Sequence, residues 1–303
     1  MKIAIMMSTY NGEDFLAEQL DTISRQTLSD KIHLYIRDDS SSDNTLNIIE
    51  EYKKSINITV YNGKNIGPAN SFWTLFQSET VEADYYAFAD QDDLWDYNKI
   101  ERAINTLKDY NGKPALYCSN CRIIDSNNNL IEKKMNKEEP KFTIISEIVC
   151  GSTQGCAMVF NDTLRNYILT KQVKNFPMHD YVVMMYAIAV GKVIYDNVPS
   201  FSYRVHENNV IAKSGKGVVR SLKNSFNRWF DDKHKHEISK FAETIYFDNQ
   251  KLLDDDTKRY LEYLVQSRYN VCARIRIIKD KRTASCNKKA ERSFKIRVLI
   301  GII

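Results

Sequence analysis

The feature that most constrains the fold is an alternation in residues 1–110 between short β-branched or aromatic runs and stretches with helical apolar spacing. Ile3 to Met7, Ile32 to Ile36, Ile58 to Tyr61 and Tyr85 to Ala89 have the length and composition of buried strands. Between them come Phe15, Leu20 and Ile23, then Leu46, Ile49 and Tyr52, then Phe72, Leu75 and Phe76, each set placing apolar side chains on one helix face. Ser42 or Asp43 is the expected cap of the second helix. Strands that are apolar on both faces must be covered on both, and βαβ units supply that cover. The pattern therefore calls for an α/β fold with a mostly parallel central sheet flanked by helices.

Residues 111–207 read as a mixed half, with strands near Leu116 to Ser119, Ala157 to Phe160 and Val193 to Tyr195 and a helix from about Asp180 to Val190. From Lys216 onward the chain turns to long, basic, helical stretches, and Gly215 and Gly217 break regularity just there. At 303 residues the chain suits one large α/β domain with an appendage. We place the domain at 1–212, with halves 1–110 and 111–212, and a helical basic C-terminal region at 213–303.

The net charge of +4 conceals an acidic portion, 1–207, and a basic one, 208–303. That division fits a site that holds a cation and a tail that meets a polyanion. From Arg268 to Ile303 there are eleven basic and two acidic residues, with Phe294, Ile296, Val298, Leu299, Ile300, Ile302 and Ile303 toward the end. We read this region as contacting an anionic membrane surface, the alternatives being a packing helix or an oligomer contact. Its aromatics are not interleaved with the charges, which disfavours nucleic acid. Nowhere do about 18 apolar residues run together, and Met1-Lys2 opens into an apolar run too short for a secretory core. The expectation is a cytoplasmic protein, peripheral on the inner face of a bacterial plasma membrane. Its six cysteines are then expected as free thiols. Cys118 and Cys121 form a C-x-x-C with no second pair at zinc-binding spacing. The pattern leaves oligomeric state open.

In open parallel sheets ligands bind beyond the carboxyl ends of the strands, so chemistry is sought in the loops after each one. The fourth strand runs into Asp90-Gln91-Asp92-Asp93-Leu94-Trp95, three carboxylates within four positions. Such crowding is costly unless a cation offsets it, and a hard divalent ion, Mg²⁺ or Mn²⁺, suits oxygen donors spaced this way. A solvated acidic turn is the bland alternative, which accounts for one aspartate better than for three. After the first strand, Ser8-Thr9-Tyr10-Asn11-Gly12 offers a hydroxyl, a ring and an amide to a base, or an ordinary turn. After the second comes Arg37-Asp38-Asp39-Ser40-Ser41-Ser42-Asp43, in which Asp39 can accept the imide N–H of uracil or thymine, a contact guanine also satisfies. The third loop, Asn65-Ile66-Gly67-Pro68-Ala69-Asn70, opens a helix whose free N–H groups favour an anion. No G-x-G-x-x-G and no G-x-x-x-x-G-K-[ST] is present, so dinucleotides and P-loop ATP binding are disfavoured.

Together these four loops resemble the nucleotide-binding half of the inverting family 2 glycosyltransferases of the GT-A fold. Ser8 to Gly12, Asp38-Asp39-Ser40-Ser41-Ser42-Asp43-Asn44-Thr45 and Asn65-Ile66-Gly67 match the first three loops, and Asp90-Gln91-Asp92 the DXD motif. The likeness continues through Gly155-Cys156-Ala157-Met158-Val159-Phe160, similar to the acceptor-side segment, and His179-Asp180, where many members carry Glu-Asp. Tyr203-Arg204-Val205-His206-Glu207-Asn208-Asn209 resembles the segment that supplies a histidine to the metal. Within the family the chain looks most like bacterial rhamnosyltransferases of cell-surface polysaccharide assembly. About 210 residues are covered.

The resemblance implies a dTDP- or UDP-linked sugar donor held by Thr9, Tyr10, Asn11, Asp39, Asn65, Asn70 and Asp90. It implies a divalent cation on Asp92, Asp90 and His206, and Asp180 as the base. Trp95, Gly155, Cys156 and His179 then face a glycan or polyprenyl-linked acceptor. The only Arg-Trp pair, Arg228-Trp229, has Ser225 where processive members have glutamine, which implies one sugar per encounter. Two rivals are weighed against this. A nucleotidylyltransferase resembles its relatives in a glycine-rich, lysine-bearing first loop, and this loop has one glycine and no lysine. A non-catalytic glycan- or membrane-binding scaffold is expected to have lost the carboxylates, yet Asp90, Asp92 and Asp180 are all present.

Overall fold

The computed structural model describes residues 1–151, 153–206, 236–285 and 287–303. The domain boundary placed at 212–216, the Asn208-Asn209 pair and Arg228-Trp229 lie outside the described residues.

The expected alternation is observed. Strands β1 (Ile3–Thr9), β2 (Ile32–Asp38), β3 (Ile58–Asn62) and β4 (Tyr85–Ala89) alternate with helices α1 (Leu16–Ser24), α2 (Thr45–Tyr52) and α3 (Pro68–Gln77). Then follow β5 (Leu94–Trp95), α4 (Lys99–Leu107), β6 (Ala115–Ser119), β7 (Arg122–Ile124), β8 (Leu130–Glu132), α5 (Ile144–Val149), β9 (Met158–Asn161), α6 (Asp162–Leu169), α7 (His179–Val190), β10 (Lys192–Asp196) and β11 (Phe201–Arg204). Seven strands form the main sheet in the order β10-β6-β9-β4-β1-β2-β3, and only β9 runs antiparallel to its neighbours. The chain travels outward from β1 through β2 to β3 and then crosses back to β4 on the other side of β1. The order thus reverses between β1 and β4, the switch point at which a crevice is expected beyond the carboxyl ends of the strands. β1 lies at the centre, Ile3 to Met7 being wholly buried, as its unbroken apolar run requires.

A second sheet, β5-β11-β7-β8, was not legible in the sequence, because strands of two to four residues carry too short a pattern. It lays β11 beside β5, the continuation of the acidic loop. At α2 the expected cap is corrected: the N-cap position is Asn44, with no side-chain capping bond. Asp43, one residue earlier, instead accepts from the N–H groups of Thr45 (3.0 Å) and Glu13 (3.0 Å), joining the first two loops.

The C-terminal region is helical as expected: α8 (Glu237–Asn249), α9 (Asp255–Gln266), α10 (Val271–Lys279) and α11 (Lys288–Ile300). These helices share the domain's core. Tyr167 donates to Asn249 (2.9 Å), Tyr186 donates to Asp248, and Tyr181 meets Phe241 at 5.6 Å between ring centroids. α7 is apolar nearly all round because it is enclosed between the sheet and these helices.

Candidate active site

A cavity of about 620 Å³ opens at the predicted crevice. Its walls bring together Tyr10 and Asn11 after β1, Asp39 after β2, Asn65 before α3, Asp90 and Asp92 after β4, Gly155, His179 and Asp180, and His206 beyond β11. Thr9, Asn70, Trp95 and Cys156, also expected at the site, are not among the lining residues.

The nucleotide side is built by loops that hold one another. Asn11 takes a left-handed turn (φ 45°), and its side-chain oxygen accepts from the Ser42 N–H at 2.9 Å. Gln91 pairs both ways with the Tyr10 backbone, accepting its N–H (2.9 Å) and donating to its carbonyl (3.1 Å). The Tyr10 ring is left half exposed at the rim. Asp39 receives the Arg37 guanidinium and the N–H groups of Ile66 (3.0 Å) and Gly67 (2.8 Å), so it lines the cavity and also fixes the entry to α3. Gly67 turns there with φ 79° and Pro68 begins the helix. Asn65 accepts from Gly67 N–H (3.2 Å), and Asn70 is one turn further on, donating to the Ile66 carbonyl (3.0 Å). Thr9 is buried behind the wall and donates to Asp38 (2.9 Å).

The three loop carboxylates divide in two. Asp90 and Asp92 line the cavity, where Asp92 Oδ2 lies 2.8 Å from His206 Nε2, and the His206 ring packs on Phe15 at 4.7 Å. Burial and then the nearby Asp92 charge push Asp90 up to about 7. Asp93 is wholly buried beneath the loop, and burial with its acidic neighbours holds its carboxyl well above the usual range. Close to it is Lys99, its ammonium 4.6 Å over Trp95 and 5.1 Å from Phe201, brought down to about 8 by burial. Trp95 therefore covers a buried lysine.

Ligand atoms of Asp90, Asp93 and Cys156 also lie within 4.8 Å of one another. Burial keeps the Cys156 thiol protonated, however, and neither Cys156 nor Asp93 lines the cavity. For a hard divalent ion the fitting donors are Asp90, Asp92 and His206, two carboxylates and an imidazole that open onto the cavity. Cys118 and Cys121 are buried free thiols, Cys121 pushed up to about 12 by burial, which suits neither zinc nor redox work.

Asp180, which lines the same cavity from the first turn of α7, accepts from the N–H groups of Gly155 (2.9 Å) and Tyr181 (2.7 Å). Burial nevertheless raises it to about 6, giving a carboxylate that is ionised at neutral pH yet a better base than an exposed one. Its charge and that of Asp90 feel each other across the cavity. His179, only 4% exposed, is stacked on Phe72 (4.1 Å) and meets Phe88 edge-on (4.6 Å). Burial pulls it down to about 3, so it stays neutral. Gly155 must be small: a Cβ there meets His179 Nε2 at 3.0 Å and Asp180 Cβ at 3.2 Å.

Several residues of the site have no site role from the sequence, Phe15 and Phe72 reading only as apolar helix positions and Tyr203 and Arg204 only as neighbours of His206. Phe15, Phe72, Gln154, Met178 and Tyr203 complete the cavity wall, and Arg204 reaches beneath it. Nothing in their spacing marks them, since each acts through contacts distant in sequence.

A mostly parallel sheet with an acidic loop and a raised carboxyl lining one cavity at its switch point is the architecture of a GT-A type glycosyltransferase. The chain belongs to glycosyltransferase family 2: residues 4–168 match the family described as "Glycosyl transferase family 2". It is 32% identical over 257 residues to the dTDP-rhamnosyl transferase RfbG of Shigella flexneri, covering 79% of this chain and 84% of that one. Its structure is similar to that of S. aureus TarS 1-349 in complex with UDP-GlcNAc, with TM-score 0.58, 16% identity, and coverage of 99% and 89%. It is also similar to the mannosyltransferase PcManGT from Pyrobaculum calidifontis in complex with GDP-Man and Mn²⁺, with TM-score 0.53, 12% identity, and coverage of 99% and 86%. These two structural likenesses speak to the fold.

Proposed function

We propose that the chain is an inverting, metal-dependent, non-processive glycosyltransferase that takes a sugar from a dTDP- or UDP-linked donor. Rhamnose is the sugar to which the Shigella relative's name points. The observation that carries the reading is that Asp180, Asp90, Asp92 and His206 line one cavity. The donor's base lies against Tyr10, Asn11 and Asp39, and its diphosphate reaches the acidic loop. Asp92, with Asp90 and His206, would hold a Mg²⁺ or Mn²⁺ ion, which would supply positive charge against the leaving diphosphate. Asp180 removes the proton of the acceptor hydroxyl as that oxygen forms its bond to the anomeric carbon on the face opposite the breaking bond to phosphate. One displacement inverts the centre. His179 is neutral, so that among the lining residues Gln154, Gly155, Met178, His179 and Asp180 the charge is that of Asp180.

The acceptor in this reading is a glycan or polyprenyl-linked glycan in bacterial polysaccharide synthesis, met at a membrane surface. No helix among the described residues is long and apolar enough to cross a membrane. The exposed face of α11 runs from Lys288 and Arg292 to Ile296, Leu299 and Ile300, basic first and apolar last. Val271 and Ile275 of α10 lie beside it, since the Arg274 side chain between them donates to the Leu299 carbonyl at 3.3 Å. Apolar side chains flanked by cations suit the boundary of an anionic leaflet.

Thermal shift with a panel of nucleotide sugars, each with and without Mn²⁺, tests the donor. A dTDP- or UDP-sugar is expected to raise the melting temperature only when Mn²⁺ is present. If no nucleotide sugar stabilises the protein under either condition, the reading is lost.

A further inference from the structure

Asp92 and His206 are 114 residues apart in sequence, Asp92 in the loop before β5 and His206 just beyond β11, yet their side chains meet at 2.8 Å. Two loops so separated converge on one ion only if something holds their backbones in register, and ligand groups need placing to within about 0.5 Å. The β5–β11 pairing aligns the two strands, and one side chain ties together the loops that extend beyond them. Arg204, the last residue of β11, is wholly buried, 0% exposed, two residues before His206.

Its side chain is used in every direction. Nε donates to the Asp92 carbonyl at 2.8 Å, and the residue's own N–H donates to Asp93 Oδ1 at 3.3 Å, so both ends of Arg204 grip the acidic loop. Nη2 donates to the Glu18 carboxylate of α1 at 2.8 Å. Nη1 donates to the Asn128 side chain and to the Ser126 carbonyl (3.4 Å) in the turn between β7 and β8. The face of the guanidinium covers the Phe15 ring at 4.6 Å, and the other neighbour of that ring is His206. A planar fork with five donors can serve all these partners at once, and a lysine cannot.

We propose that Arg204 is a positioning residue for the cation: it clamps the acidic loop and the histidine-bearing segment into one rigid unit, so that Asp92 and His206 face a common point. This rests on the metal assignment above. Arg204 touches neither donor nor ion, and it acts by fixing the backbone that carries the ligands. The second sheet gains a purpose from this, since β11 and the β7–β8 turn are what hold Arg204 in place.

The test is Mn²⁺ binding by calorimetry on wild type, Arg204→Lys and Glu18→Gln, with melting temperatures and steady-state kinetics alongside. Arg204→Lys keeps the charge and loses the fork. Its Mn²⁺ dissociation constant is expected to rise roughly 10- to 100-fold, with kcat at saturating Mn²⁺ largely kept. Glu18→Gln neutralises the outer anchor, a side chain 46% exposed that also accepts from Asn128 at 3.2 Å, and should shift the constant in the same direction by less. Wild-type Mn²⁺ affinity in Arg204→Lys, whatever its melting temperature, makes Arg204 a fold residue only and overturns the proposal. Should Arg204→Lys fail to fold, wild-type affinity in Glu18→Gln has the same force. Wild-type protein that binds no Mn²⁺ removes the metal assignment itself, a result separable from loss of the clamp.

Discussion

Asp180 concentrates the chemistry at the scale of single residues. Its carboxyl sits at about 6 because burial outweighs the two N–H bonds that favour its charge. Only the ionised form accepts a proton, so turnover should rise with pH through about 6 and level off above it. A pH profile of kcat/KM checks this, and activity that persists undiminished at pH 5 removes Asp180 as the base. Asp180→Asn should lower kcat by roughly 10²- to 10⁴-fold while leaving donor affinity intact, which separates turnover from binding in one variant. Asp92→Ala should do the reverse, abolishing the Mn²⁺-dependent part of nucleotide binding in calorimetry. The roles proposed for Asp90 and Asp92 could be argued from the sequence because three carboxylates crowded after a strand call for a cation, whereas that of Asp180, in the first turn of α7, came from the family resemblance. The assignment of Asp93 could not, since the turn that sends it down toward Lys99 while its neighbours face outward depends on contacts with β11.

At the scale of elements, the site depends on how closely neighbouring segments approach. At its C-terminal end α7 turns into β10, and that turn packs tightly on the start of β6. Gly191 makes that turn, and a Cβ on it comes within 2.3 Å of the Pro114 carbonyl oxygen, a backbone atom that also accepts from Lys192 N–H at 3.0 Å. Gly191→Ala should therefore cost about 1–3 kcal/mol by overpacking, read as a lower urea midpoint at unchanged slope. A midpoint equal to wild type means the turn relaxes freely. The long elements were legible because periods of two and 3.6 residues repeat often enough to be seen. The small sheet was not, its strands being too short to repeat anything.

At the scale of the molecule, the C-terminal helices do two jobs that their composition does not separate. Of the seven apolar residues near the end, Phe294, Val298, Ile302 and Ile303 are buried in the shared core, while Ile296, Leu299 and Ile300 face outward. The tail as a whole is therefore not a free anchor, and only its outer face is available to lipid. Phe294→Ala should cost about 3–5 kcal/mol of stability, and Leu299→Glu, at a position 59% exposed, should leave melting unchanged. If the outer face meets an anionic leaflet, Leu299→Glu should also weaken cosedimentation with phosphatidylglycerol vesicles, and unchanged cosedimentation counts against that face.

By itself the sequence determined the parallel sheet, the loops that bear the site and the acidic cluster, because all three follow from local pattern and from the topology that the pattern imposes. Tertiary structure decided which carboxylates face the cavity, that His206 meets Asp92, that Arg204 binds the loop from beneath, and which half of the tail is core. Those outcomes are set by burial and by hydrogen bonds between segments roughly 100 residues apart, and burial is a property of the packed chain that no window of sequence contains.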